Sequence, residues 1–229
     1  FSEADSVADL TEIINILMTP ENKDSIVFYD GAKNILLGVL LRMKEKSLSI
    51  SLPNALDYIR DFDDISDLLR DLANSNDKTV QKIESEISES SGNKNLFASV
   101  LNALSKAFNF LNTEVIRDSI LCNADQFNLK EVLMKPKQIV ILQYEMQYKE
   151  LTKTLFGATV AHIFRILQSN LNRKPVLILL DEIINSAPIP DFCGKLNTIR
   201  SMKMPTFLYL QSFEGLNRLY EKKKKTLFM

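Results

Sequence analysis

The sequence predicts a mixed α and α/β protein, an all-α helical domain followed by a parallel α/β sheet. Three observations carry this. Apolar residues recur at helical spacing through the first 131 positions, and after Pro136 they gather into short β-branched runs separated by helical stretches. Charge divides near the same place: residues 1–131 hold 13 Lys and Arg against 22 Asp and Glu, a net of −9, and residues 132–229 hold 15 against 7, a net of +8. Six glycines and seven prolines are too few for a loop-rich all-β protein with many tight turns. A charge split of this size points to two units with different partners.

In the first half, Val7, Leu10, Ile13, Ile14 and Leu17 make one helical face, ended by Pro20. Asp24 or Ser25 is placed to cap a second helix carrying Phe28, Ile35, Leu36, Val39, Leu40 and Met43. Pro53 opens a short helix, and Asp63 or Asp64 caps another with Ile65, Leu68, Leu69 and Leu72. Asp77 or Thr79 starts a polar helix through Ile83 and Ile87. Residues 88–93 read as a loop by composition. Leu96, Val100, Leu104, Ala107, Phe108 and Leu111 then give a longer helix, with a short one near 115–121.

In the second half, residues 138–142 form an apolar β-branched run suited to a strand buried on both faces of a parallel sheet. A helix over about 150–170 leads to a second strand at 176–180. A helix over about 191–202 leads to a third at 206–210. A helix at 213–220 and a fourth strand at 226–228 close the pattern, which is that of right-handed β-α-β crossovers.

The longest apolar run, Ile35 to Leu41, is far too short to span a bilayer, and no signal peptide is visible. The chain starts on Phe1, as a piece of a longer protein would. Cys122 and Cys193 have no metal or redox spacing and read as reduced, buried thiols of a cytoplasmic protein.

The second strand ends in Asp181-Glu182. Ligands of parallel sheets sit at the carboxyl ends of strands. Buried aliphatic residues followed by two acids describe a Walker B element, in which the first carboxylate holds Mg²⁺ and the second orients or deprotonates the attacking water. The same string also describes a strand that exits into solvent. The third strand, adjacent in such a sheet, ends in Gln211-Ser212. Gln211 can donate and accept, which suits a sensor of the γ-phosphate and its water; alternatively it caps the following helix. Arg200, at the end of the intervening helix, is a candidate arginine finger or a plain helix C-terminal cation. The ligands this pattern implies are ATP and Mg²⁺.

Residues 175–182, with Ile189-Pro190-Asp191-Phe192, Ile199-Arg200-Ser201 and Leu210-Gln211-Ser212, resemble the TraG/TraD-type coupling ATPases of conjugation and type IV secretion. The resemblance is specific over about 136–222 and looser but co-linear upstream. Where that family has glycine, this chain has Ser186-Ala187 and Met202-Lys203-Met204. The resemblance implies a RecA-like P-loop NTPase domain with an all-α domain inserted ahead of its Walker B strand. Residues 1–19 then join the nucleotide-binding domain, 20–131 are the inserted domain, and 132–229 are the partial RecA-like domain. It also implies a homo-hexamer held at the inner or plasma membrane by an upstream segment, this region being cytoplasmic. Its partners are then a relaxase–DNA complex or secreted proteins, and channel subunits of the secretion system. No G-x-x-x-x-G-K-[ST] occurs in the 229 residues, so the backbone cradle for phosphates is not in this chain.

Three further features carry less. Lys222 to Lys225 reads as a solvated loop before a DNA or lipid contact. His162 lies mid-helix with no metal partner at ligand spacing. Six aspartates between Asp57 and Asp71 would repel phosphate and favour a basic protein partner over DNA. The competing functions are another RecA- or FtsK-like DNA translocase and a non-catalytic module that recruits substrates.

Overall fold

The computed structural model describes residues 6–18, 26–62, 64–90, 94–120, 128–143, 146–170, 172–183, 189, 192–199 and 201–220. The chain forms two compact units, 1–126 and 127–229.

Every described element of the first unit is helical: α1 (Val7–Leu17), α2 (Ile26–Glu45), α3 (Leu52–Arg60), α4 (Ile65–Ala73), α5 (Lys78–Ser90), α6 (Lys94–Ala107) and α7 (Glu114–Ile120), with a 3-10 turn at Asn109–Asn112. The polar residues that start these helices do so by satisfying their open amides. Ser6 and Asp9 form a reciprocal capping box on α1. The Ser51 side chain accepts from the Asn54 amide ahead of Pro53 in α3. Asp64 accepts from the Asp67 amide at 3.1 Å and so caps α4. Asp77 accepts from the Thr79 amide at 2.7 Å. Residues 88–90, expected in a loop, continue α5, where Ser88 Oγ donates to Glu84 Oε1 one turn back.

Helix α2 is the centre of this unit. It packs against α1, α3, α4, α5 and α6, and Ala32, Ile35 to Leu41 and Met43 are buried along it. A helix apolar on nearly every side belongs inside a bundle. Gly38 keeps α5 close, since a Cβ there would lie 3.3 Å from Ile83 Cγ2.

The crowded aspartates are largely engaged within the unit. Asp57 pairs with Arg117, and Asp67 pairs with Arg70 at 2.7 Å. Asp71 collects Arg42, Lys46 and the Tyr58 hydroxyl, the last two at 2.7 and 2.5 Å. Counting acids in the sequence therefore overstates the negative charge left for a partner. Asp63 lies outside the described residues.

The second unit contains α8 (Leu129–Met134), a 3-10 turn at Met146–Tyr148, α9 (Lys149–Ser169), β1 (Ile178–Asp181), α10 (Phe192–Thr198), β2 (Thr206–Tyr209) and α11 (Phe213–Tyr220). β1 and β2 are parallel, with Ile178 opposite Thr206 and Asp181 opposite Tyr209. One face is covered: Ile178 and Leu180 are buried, as are Phe164, Leu167, Ile189, Phe192 and Leu216 from the rest of the unit. Phe164 meets Phe192 edge-on and Phe192 stacks on Tyr220. On the alternate positions Leu177, Leu179, Phe207 and Tyr209 are each more than half exposed.

Several expectations for this half need correction. Residues 138–142 form no strand; Ile139 and Ile141 are 88% and 79% exposed. A β-branched apolar run has the preference for a sheet, but a strand exists only through a ladder, and here β1 and β2 pair with each other alone among the described residues. The helix expected to reach Met202 ends at Thr198 and gives way to a turn at 201–203. The fourth strand at 226–228, Asp24, Ser25, Cys122 and Lys222 to Lys225 fall outside the described residues. Cys193 is half-buried rather than buried.

Candidate functional site

The parallel register brings the carboxyl ends of β1 and β2 to one place. Asp181 is the last residue of β1 and is exposed. The next residue, Glu182, has φ 49°, the left-handed region that side-chain-bearing residues seldom adopt. Its amide donates to the Tyr209 carbonyl at 3.2 Å, which extends the ladder by one bond.

Successive residues of a strand point to opposite faces. The left-handed turn at Glu182 interrupts that alternation. Its carboxylate then meets the end of the neighbouring strand, where Gln211 Nε2 donates to Glu182 Oε1 at 2.7 Å. Backbone strain of about 1–3 kcal/mol persists where surrounding structure enforces it, commonly at functional sites.

Gln211 is not the helix cap. Ser212 Oγ accepts from the Gly215 amide at 3.1 Å and starts α11. The structure thus brings Asp181, Glu182 and Gln211 together; Arg200 lies outside the described residues.

Two polar groups, the buried Arg173 and the half-buried Tyr220, support this arrangement, and sequence patterning did not single them out. Arg173 is 8% exposed, and its acceptors among the described residues are all backbone carbonyls. Its guanidinium donates to the carbonyls of Leu167, Lys174, Met202 and Lys203 at 2.7–3.3 Å. It thereby ties the end of α9 to the segments entering β1 and β2, and burial lowers its pKa. The Tyr220 hydroxyl accepts from the buried Ile189 amide at 3.1 Å, and burial pushes this phenol up to about 12. For Arg173 the available signal was a charged side chain just ahead of Pro175, but nothing in its spacing shows which carbonyls it meets.

Among the described residues no group of three His, Cys, Asp or Glu side chains is placed to hold a metal ion. The site offers instead one exposed carboxylate, Asp181, beside a hydrogen-bonded Glu182. That donor set suits Mg²⁺, which keeps several waters and takes one or two carboxylates together with phosphate oxygens. It does not suit a closed metal cage.

The family model described as type IV secretory system conjugative DNA transfer matches residues 1–229. Among solved structures the chain is similar to the bacterial conjugative coupling protein TrwB in complex with sulphate, with a TM-score of 0.67 and 12% identity over 97% of this chain and 50% of that one. It is similar to the plasmid coupling protein TrwB in complex with a non-hydrolysable ATP analogue, with a TM-score of 0.69 and 13% identity over 97% and 51% of the two chains. A third similar structure is TrwB with ADP and Mg²⁺, at a TM-score of 0.63 and 12% identity over 97% and 51%. At these identities the likeness is one of fold. The chain spans about half the length of the structures it matches. A search of curated proteins found no match.

Proposed function

Because the chain belongs to the type IV secretory system conjugative DNA transfer family, we propose that it carries the Walker B half of a coupling ATPase together with its substrate-facing helical domain. In this reading residues 20–131 are an all-α domain inserted into a RecA-like nucleotide-binding domain formed by 1–19, 132–229 and further sequence with the phosphate-binding loop. The observation that carries it is the convergence of Asp181, Glu182 and Gln211 at adjacent parallel strand ends. Asp181 would hold Mg²⁺ of Mg–ATP, which supplies charge neutralisation at the phosphates. Glu182 accepts a proton from water, and Gln211 stands beside it as sensor. Arg200 acts across a subunit boundary of a homo-hexamer as an arginine finger.

The transported cargo is a relaxase–DNA complex or a secreted protein, handed to channel subunits of a type IV system by a motor anchored in the inner or plasma membrane through a segment outside this chain. No helix of the described residues is long and apolar enough to cross a membrane.

Phosphate release from Mg–ATP tests the proposal. The full polypeptide turns over ATP, and Asp181→Asn or Glu182→Gln abolishes it. The 229-residue chain alone, lacking the phosphate cradle, does not. A full polypeptide that binds no Mg–ATP would instead make this a non-catalytic recruiting module.

A further inference from the structure

We infer that Gln211 is a positioning residue for Glu182, setting the direction in which that carboxylate accepts a proton, and is more than a reporter of bound phosphate. This rests on the ATPase reading above. Three features of this chain support it. First, Glu182 leaves the strand path at φ 49°, so its side chain is not aimed by the strand's own alternation. Second, its amide is fixed to the Tyr209 carbonyl, which holds the backbone while leaving the side-chain torsions to be set by something else. Third, what the carboxylate meets is the Gln211 amide nitrogen at 2.7 Å.

That contact is charge-assisted and stronger than a neutral one. It occupies one lone pair of Oε1 and restricts the plane of the carboxylate, so the remaining acceptor positions point in defined directions. A general base is effective only within hydrogen-bond reach of the proton it takes, so fixing its direction acts on the rate and not on the affinity for nucleotide. The amide is the right group for this. A carboxylate at 211 would repel Glu182, a leucine would remove this hydrogen bond, and an asparagine, one methylene shorter, would fall short of the contact.

Two measurements test the inference. In the 229-residue chain, the side-chain amide of Gln211 is followed by nuclear magnetic resonance. Its proton resonance is expected downfield in the wild type and shifted upfield in Glu182→Ala, with an unchanged melting temperature in Gln211→Leu. An amide resonance indifferent to Glu182→Ala overturns the inference without reference to ATP.

In the full polypeptide, Gln211→Leu and Gln211→Glu are expected to lower kcat for ATP by about 10- to 100-fold, with KM changed less than about threefold. A rise in KM at unchanged kcat overturns the positioning role and leaves the ATPase reading standing. A wild type with no Mg–ATP turnover overturns both.

Discussion

Arg173 Nη2 donates to the Met202 carbonyl at 2.7 Å, and this single guanidinium joins the end of α9 to the entries of both strands. Four carbonyls converge on it from three chain segments. Its rigid fork of donors matches them, which is why a buried cation is tolerated here. Because the strand entries are pinned, the strand ends at Asp181 and Gln211 are held in register.

Arg173→Ala is therefore expected to cost about 2–4 kcal/mol, since several carbonyls lose their donor at once. Arg173→Lys, with a single ammonium, should recover less than half of that. Urea denaturation monitored by circular dichroism measures both. Full recovery by lysine would show that charge, and not the fork, is what matters.

The helical unit should lose stability in acid through Asp71 and Glu45. Burial pushes the Asp71 carboxyl up, but hydrogen bonds from Arg42, Lys46 and Tyr58 together hold it below its usual range. Ser75, the Asn76 amide and Arg42 hold Glu45 at about 2. Both groups are depressed on folding, so their contribution is present above the unfolded values near ~4 and is lost as pH falls from there toward about 2. Melting temperatures measured across that interval should fall steeply for the wild type. Asp71→Asn and Glu45→Gln should each flatten the slope, and an unchanged slope in both would remove these groups from the account.

How much of this was legible in the sequence differs by element. The caps at Asp64 and Asp77 and the role of Pro53 were readable because each depends on neighbours a few residues away, and the apolar runs at 176–180 and 206–210 were readable as strands because a helix between them makes each the other's partner. The placement of Asp181, Glu182 and Gln211 at neighbouring strand ends was readable because strand order in a β-α-β unit sets those ends side by side. Residues 138–142 were not, because a strand depends on a partner distant in sequence. The acid cluster misled for a similar reason: Asp57 and Asp71 meet Arg117 and Arg42 from helices far along the chain. The left-handed turn at Glu182 had no signal, since glycine or asparagine is the usual mark of that conformation.

The bare face of the sheet gives a prediction about solution behaviour. Leu177, Leu179, Phe207 and Tyr209 are each 55–58% exposed, although parallel sheets are ordinarily covered on both faces. An exposed apolar patch binds hydrophobic dyes and promotes association. Leu179→Thr with Phe207→Thr should reduce dye fluorescence and sedimentation-detected association of this chain while shifting its melting temperature little. Threonine keeps the β propensity of the positions, so a large loss of stability would mean that this face is packed in solution.

Tyr220 should make the second unit sensitive to alkali. Burial raises its phenol to about 12, above the value near ~10 expected in an unfolded chain. The folded state thus favours the neutral form, and the associated stability is complete below about pH 10 and is lost as pH rises through about 12. Tyr220→Phe keeps the stacking on Phe192 but leaves the Ile189 amide, at 1% exposure, without its acceptor. The expected cost at neutral pH is about 1–2 kcal/mol, with a shallower loss of stability above pH ~10. Tyrosinate absorbance and circular dichroism followed together in an alkaline titration report both effects. If the variant matches the wild type at neutral pH and across the titration, the hydroxyl does not hold Ile189, and that residue is positioned by apolar packing alone.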